Sequence, residues 1–255
     1  MLATLDGISL LWLLLLGHLI GDFFLQPDHW AQSKQQHKIR SSYFYLHALL
    51  HGGIVALILA TTATLNLSLA LVTGLLFSLI HGAIDYLKLL LGKTLIWFLL
   101  DQALHLLSLV VLWLFLLPGA GPQIQILLST LNWSNGWALC LGYLLMLKPS
   151  AVVVSQLLSQ WTLAIEQQTS KENRDSLPQA GQYIGYLERL LVLTFVLNDE
   201  FKAVGFILAA KSIFRMGDLR EAHDRKFTEY VILGSLFSMS LALFTGLLLQ
   251  ALVYG

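Results

Sequence analysis

The sequence predicts an all-α, polytopic bundle of transmembrane helices, and three observations carry that expectation. Of its 255 residues 56% are hydrophobic and only 12% charged, against roughly a quarter charged in an ordinary soluble domain. The apolar residues come in runs, such as 10–16, 54–60 and 106–117, too many for a core of this size to bury. Hydrocarbon offers no partner to a backbone N–H or C=O, so each run must satisfy its own backbone as a helix.

A span needs roughly 20 apolar residues, within a range of about 17–25. On that measure helices are expected near 8–25, 43–62, 66–90, 94–117, 136–157 and 228–253. Shorter apolar stretches near 183–198 and 201–216 read as two brief spans, or alternatively as one re-entrant hairpin. The expectation is about eight crossings, with six plus a hairpin as the alternative. Pro27 closes the first helix, and Pro118, Gly119, Gly121 and Pro122 close the fourth. Asp6 precedes the first apolar run, which has no basic n-region and no A-x-A-like end. It therefore reads as a retained span rather than a cleaved signal. The segment 158–182 is polar and mixed in charge, without apolar period. It is expected to be a cytoplasmic linker between a five-span core over 1–157 and membrane helices over 183–255.

Positive charge orients the spans. Lys34, Lys38, Arg40, Lys88, Lys93, Lys148, Lys171, Arg174, Lys211, Arg215, Arg220, Arg225 and Lys226 fall on one side in the eight-span topology, thirteen of the fifteen basic residues. The positive-inside rule makes that side cytoplasmic, which leaves both termini periplasmic in a bacterial inner membrane. Fifteen Lys+Arg balance fifteen Asp+Glu, so nothing in the charge calls for a nucleic-acid partner. The expected partner is the lipid bilayer, and the oligomeric state is left open. Cys140 is the single cysteine, which excludes an intrachain disulfide and a multi-thiolate metal site.

Four i, i+4 pairs stand on four consecutive expected helices: His18/Asp22, His47/His51, His81/Asp85 and Asp101/His105. Residues four apart share a helix face, with Cβ atoms about 5–6 Å apart, so both side chains can reach one ion. At about 1.5 Å rise per residue all eight lie in one slab, about 6–18 Å below the cytoplasmic surface. The assignment of spans made no use of these residues. The order His-x-x-x-Asp then His-x-x-x-His in the first two helices is echoed by His-x-x-x-Asp then Asp-x-x-x-His in the next two. Two such hairpins could pack as a four-helix bundle with ligands inside.

Three readings compete: a metal site, a metal-free proton or ion relay, and Asp–His bonds that merely join helices. Ionisable groups at membrane depth cost about 2.5–3.5 kcal/mol each and usually mark function, which favours the metal. Imidazole and carboxylate without thiolate suit a divalent metal, zinc first, then iron or manganese. Zinc hydrolases use three protein ligands and leave a position to water. Eight candidates exceed that need, so some must orient ligands, or the site must hold two metals. His18, His47, His51, His81 and His105 are the expected ligands. Asp22, Asp85 and Asp101 are expected as ligand or general base. Lys88, on the face of His81 and Asp85, could snorkel to the interface or hold an anionic headgroup. Glu188, Arg189 and Lys211 form a further polar group at similar depth. They could pair with one another or bind substrate. His29 and His37, in the basic segment 26–42, are expected to be solvated.

The stretch Gly17, His18, Leu19, Ile20, Gly21, Asp22, Phe23, Phe24, Leu25, Gln26, followed by His47/His51, His81/Asp85 and Asp101-Gln102-x-x-His105, resembles a bacterial membrane family known as domain of unknown function 3307. The likeness covers residues 8–115. The residues Gly185–Arg189, Ala209–Ser212 and Glu229-Tyr230 look like the extension of its longer members. The resemblance implies a protein type and no reaction. A looser likeness of the His/Asp spacing to membrane-bound metal-dependent hydrolases leads to the functional expectation: a metal-dependent hydrolase working near the cytoplasmic leaflet on a lipid or membrane-anchored peptide. The alternatives are a non-haem di-iron lipid oxidoreductase and a transporter of divalent ions or protons.

Overall fold

The computed structural model describes residues 7–62, 64–92, 94–116, 135–166, 180–221 and 225–254, without the side chains of 135, 163–166, 214–221, 225–227 and 254. Among the described residues every regular element is helical. In chain order they are α1 (Gly7–Phe23), α2 (Asp28–His37), a 3₁₀ turn (Lys38–Arg40), α3 (Ser42–Thr61), α4 (Leu67–Leu91) and α5 (Leu95–Leu116). Then follow α6 (Asn135–Leu145), α7 (Lys148–Glu166), α8 (Ala180–Leu197), α9 (Phe201–Glu221) and α10 (Arg225–Tyr254).

The all-α class is as expected. Among the described residues four helices are long and apolar enough to cross a membrane: α3, α4, α5 and, within α10, Thr228–Val253. The number rises to 6 if each of two bent pairs forms one span, α1 with α2 (bent 77°) and α6 with α7 (bent 40°). The helices α8 and α9 fall short because Glu188 and Arg189 interrupt the first and Lys202 and Lys211 the second. Among the described residues, then, the candidate spans number from 4 to 6.

The chain divides into two compact units, 1–137 and 138–255, earlier than the expected boundary at 157. Part of the expected linker is structured, since α7 runs on to Glu166 and α8 begins at Ala180. Residues 167–179, with Lys171 and Arg174, lie outside the described residues, as do Lys93 and the stop at 118–122.

In the first unit α3 packs on α4, α1 packs on α3 and α5, and α4 packs on α5. The α3–α4 crossing is a backbone contact. A Cβ on Gly52 would lie 1.9 Å from Ser78 Oγ and 2.2 Å from the Gly74 carbonyl oxygen, so only glycine lets the helices approach this far. Asn66 starts α4 by accepting the Leu69 N–H on its side chain at 2.9 Å, the usual cap for an orphan donor. One half of this bundle is a dry core of Leu10, Leu14, Val55, Leu59, Ala70, Phe77, Leu109 and Trp113. These belong to the early turns of α1 and α4 and the late turns of α3 and α5. The polar pairs occupy the opposite ends of the same four helices, as an up-and-down arrangement requires.

In the second unit α10 packs on α7 and α8, and α8 on α9. At the break between α6 and α7 the Ser150 hydroxyl donates to the carbonyls of Met146 and Leu147, at 2.8 and 3.0 Å. Pro149 sits in the first turn of α7, where its missing N–H is not needed.

Candidate metal centre

The four expected pairs meet. His18, His47, His51, His81 and His105 are between 0 and 4% exposed, and Asp85 and Asp101 are buried with them. The His81 ring is the hub: His51 stacks on it at 3.8 Å between centroids, His105 lies at 4.1 Å, His47 at 5.1 Å and His18 at 5.8 Å. The close α3–α4 crossing makes this stacking possible. A second close approach comes from α1, where a Cβ on Gly21 would stand 2.5 Å from His51 Cε1.

Asp22 Oδ1 is the point of convergence. It lies 3.0 Å from His51 Nε2, 3.2 Å from His47 Nε2 and 3.9 Å from His81 Nε2. The Nε2 atoms of His47 and His81 face each other at 3.2 Å. Four ligands about 2.0–2.1 Å from a tetrahedral zinc stand about 3.3 Å from one another, so these separations suit a shared ion. Neither Asp22 Oδ1 nor His51 Nε2 makes a hydrogen bond, despite their closeness. Atoms that crowd together without hydrogen-bond alignment are arranged as ligands are. A second group, His81, Asp85 and His105, also offers ligand atoms within 4.8 Å of one another.

Eight buried polar atoms of this cluster lack a hydrogen bond: both nitrogens of His18, Asp22 Oδ1, His47 Nδ1, His51 Nε2, His81 Nδ1, Asp101 Oδ1 and His105 Nε2. At about 1–3 kcal/mol each, their desolvation would rival the net stability of a typical domain, about 5–15 kcal/mol. A cation satisfies lone pairs of this kind.

The three aspartates are not equivalent. Asp85 Oδ2 receives the Lys34 ammonium at 2.8 Å, and Lys34 also donates to Gln26 Oε1 at 3.0 Å. Asp101 Oδ2 receives Lys88 at 2.7 Å. Asp22 has no lysine. Its Oδ2 is held by the Gln102 amide at 3.0 Å, and the same amide reaches Asp101 Oδ2 at 3.2 Å. His18 Nε2 stands 3.7 Å from Asp22 Oδ2. Lys34, Gln26 and Gln102 were not among the expected site residues. The two glutamines sit inside the sequence motifs that carry the family resemblance, which is the signal that could have found them. Lys34 had been counted only as a topology charge in a solvated segment. His29, His37, Lys38 and Arg40 of that segment are indeed exposed, but Lys34 is buried.

Lys88 keeps part of its side chain exposed and lies with Asp101 at a shallow surface dip walled by Ile84, Leu87, Leu91, Trp97, Leu100 and Leu104. The other expected substrate residues belong to the second unit. Lys211 and Glu188 pair with each other. Arg189, 4% exposed, donates to the Met146 carbonyl at 2.8 Å, to Ser238 Oγ at 2.9 Å and to the Leu147 carbonyl at 3.5 Å. It adds a charged donor to carbonyls at the α6–α7 break that Ser150 also serves, as helix ends invite.

Residues 10–133 match the family described as Protein of unknown function (DUF3307), in agreement with the resemblance read from the motifs. No curated protein and no solved structure matches the chain.

Proposed function

We propose that this protein is a membrane-embedded, metal-dependent hydrolase whose divalent ion, zinc first, is held by His47, His51 and His81, with the Asp22 carboxylate beside it and the fourth position left to water. The observation that carries this reading is the convergence of three buried imidazole Nε2 atoms on Asp22 Oδ1, which itself makes no hydrogen bond. An ion bound there would lower the pKa of a water and polarise a carbonyl or phosphoryl oxygen. Asp22 is the carboxylate assigned to accept the water's proton, because Asp85 and Asp101 each already hold a lysine. The substrate assigned is amphiphilic, a lipid or a membrane-anchored peptide. The apolar side chains that surround Lys88 and Asp101 support it by setting grease and charge side by side. In the orientation read from the basic residues, the site works from the cytoplasmic leaflet of a bacterial inner membrane.

The dry core in the opposite half of α1, α3, α4 and α5 argues against a through-path, and so against a transporter. The test is metal content by mass spectrometry on detergent-purified protein beside a His47→Ala/His51→Ala variant. Zinc near one per chain, lost in the variant, is expected, followed by release of product from lipid or peptide substrates. Two irons per chain would replace the hydrolase with an oxidoreductase, and a protein that binds no metal when offered it would end the reading.

A further inference from the structure

Lys34 is the starting point. It is the one buried residue of α2, a polar helix set at 77° to α1, and it delivers an ammonium into a cluster of imidazoles and carboxylates. The fold thus places a cation of its own on Asp85, at 2.8 Å. What surrounds Asp85 is built for a metal. His105 donates its Nδ1 proton to the Asp101 carbonyl at 2.9 Å, which fixes the tautomer and leaves Nε2 as a lone pair. That Nε2 is fully buried and without a hydrogen bond, as is Nδ1 of His81. His81, Asp85 and His105 bring one ligand atom each within 4.8 Å of the others. His18, neither of whose nitrogens makes a hydrogen bond, stacks on His105 at 5.2 Å.

We infer that His81, Asp85 and His105 form a second divalent-cation site, next to the one formed by Asp22, His47, His51 and His81, and that the Lys34 ammonium competes for it. The inference rests on the first site being a metal site. His81 belongs to both donor groups, so with both ions bound it bridges them through its two nitrogens as an imidazolate, its ring N–H proton released to solvent, and the two ions are neighbours. Lys34 and a second ion draw on the same carboxylate, and their like charges repel in a poorly solvated place. The second ion is therefore the weaker one, and its binding draws Lys34 off Asp85. Because Lys34 comes from α2, that withdrawal loosens a helix outside the four-helix bundle and leaves the bundle itself in place.

The experiment is a calorimetric titration of Zn²⁺ or Co²⁺ into chelator-stripped, full-length protein in detergent, comparing the wild type with Lys34→Met and His105→Ala. The wild type is expected to bind one ion tightly and a second weakly. Lys34→Met tightens the second about tenfold, as removal of a neighbouring like charge should, and leaves the first unchanged. His105→Ala loses only the second, and if that variant fails to fold the lysine variant decides alone. A single ion in both the wild type and Lys34→Met would overturn the second site and leave the first standing. Two ions with affinities indifferent to Lys34→Met would overturn the competition. No ion in any protein would remove the proposed function as well.

Discussion

Two regions of the molecule bury polar side chains among apolar helices, and they treat them in opposite ways. In the second unit Arg189 spends its guanidinium on two carbonyls at the α6–α7 break and on one hydroxyl. Its donors all find acceptors that the fold supplies. In the first unit five imidazoles and three carboxylates are assembled with eight polar atoms left over. The first pattern is what a structural polar group looks like, since a buried donor is cheap only when its partners are in place. The second is a standing cost, and it persists in natural proteins where a ligand or a reaction uses the unpaired atoms. Burial alone therefore does not separate structure from function. The balance of donors and acceptors does.

The sharpest way to break this contrast is Arg189→Met. It leaves carbonyls at the helix break with fewer donors, and a charged donor at such a place contributes about 2–4 kcal/mol. Denaturant unfolding in micelles should fall by that amount, whether metal is present or removed. An unchanged midpoint would mean that Arg189 is free for another role, including the substrate role its depth first suggested. His51→Leu should act in the other direction. In chelator the variant is expected to be as stable as the wild type or up to about 1–2 kcal/mol more stable, because replacing an unsatisfied buried polar group by an apolar one of similar size relieves desolvation. The stabilisation that metal gives the wild type should vanish in it. A large loss of stability without metal would make His51 a structural residue like Arg189.

How much of this was legible beforehand follows from the same physics. The four i, i+4 pairs and their common depth could be read because helical spacing and span topology are local properties of a sequence. The all-α class followed from composition for the same reason. The division of labour among the aspartates could not be read. It depends on Lys34 reaching Asp85 across 51 residues and on Gln102 reaching Asp22 across 80, and no spacing rule links residues so far apart. The partners of Arg189 were equally out of reach. They are backbone carbonyls at a helix break, which Lys148-Pro149 mark inside the expected helix 136–157, but no spacing rule ties that break to residue 189. The short stretches at 183–198 and 201–216 were ambiguous because length and hydropathy near the threshold do not decide between a span and a hairpin.

The subtlest test concerns Gly21. A methyl group there would stand 2.5 Å from Cε1 and 2.7 Å from Nε2 of His51, and the ring can relieve the clash only by moving off Asp22. Backbone effects run the other way, since Ala in a helix is favoured over Gly by about 0.5–1 kcal/mol. Gly21→Ala should therefore leave metal-free stability equal or slightly higher while weakening the first ion about tenfold, equivalent to about 1.4 kcal/mol. The two quantities separate the explanations. If stability falls and affinity holds, Gly21 serves the packing of α1 against α3. If affinity falls alone, the glycine is there to let one imidazole nitrogen reach the ion, and the crowding around Asp22 Oδ1 is a ligand geometry.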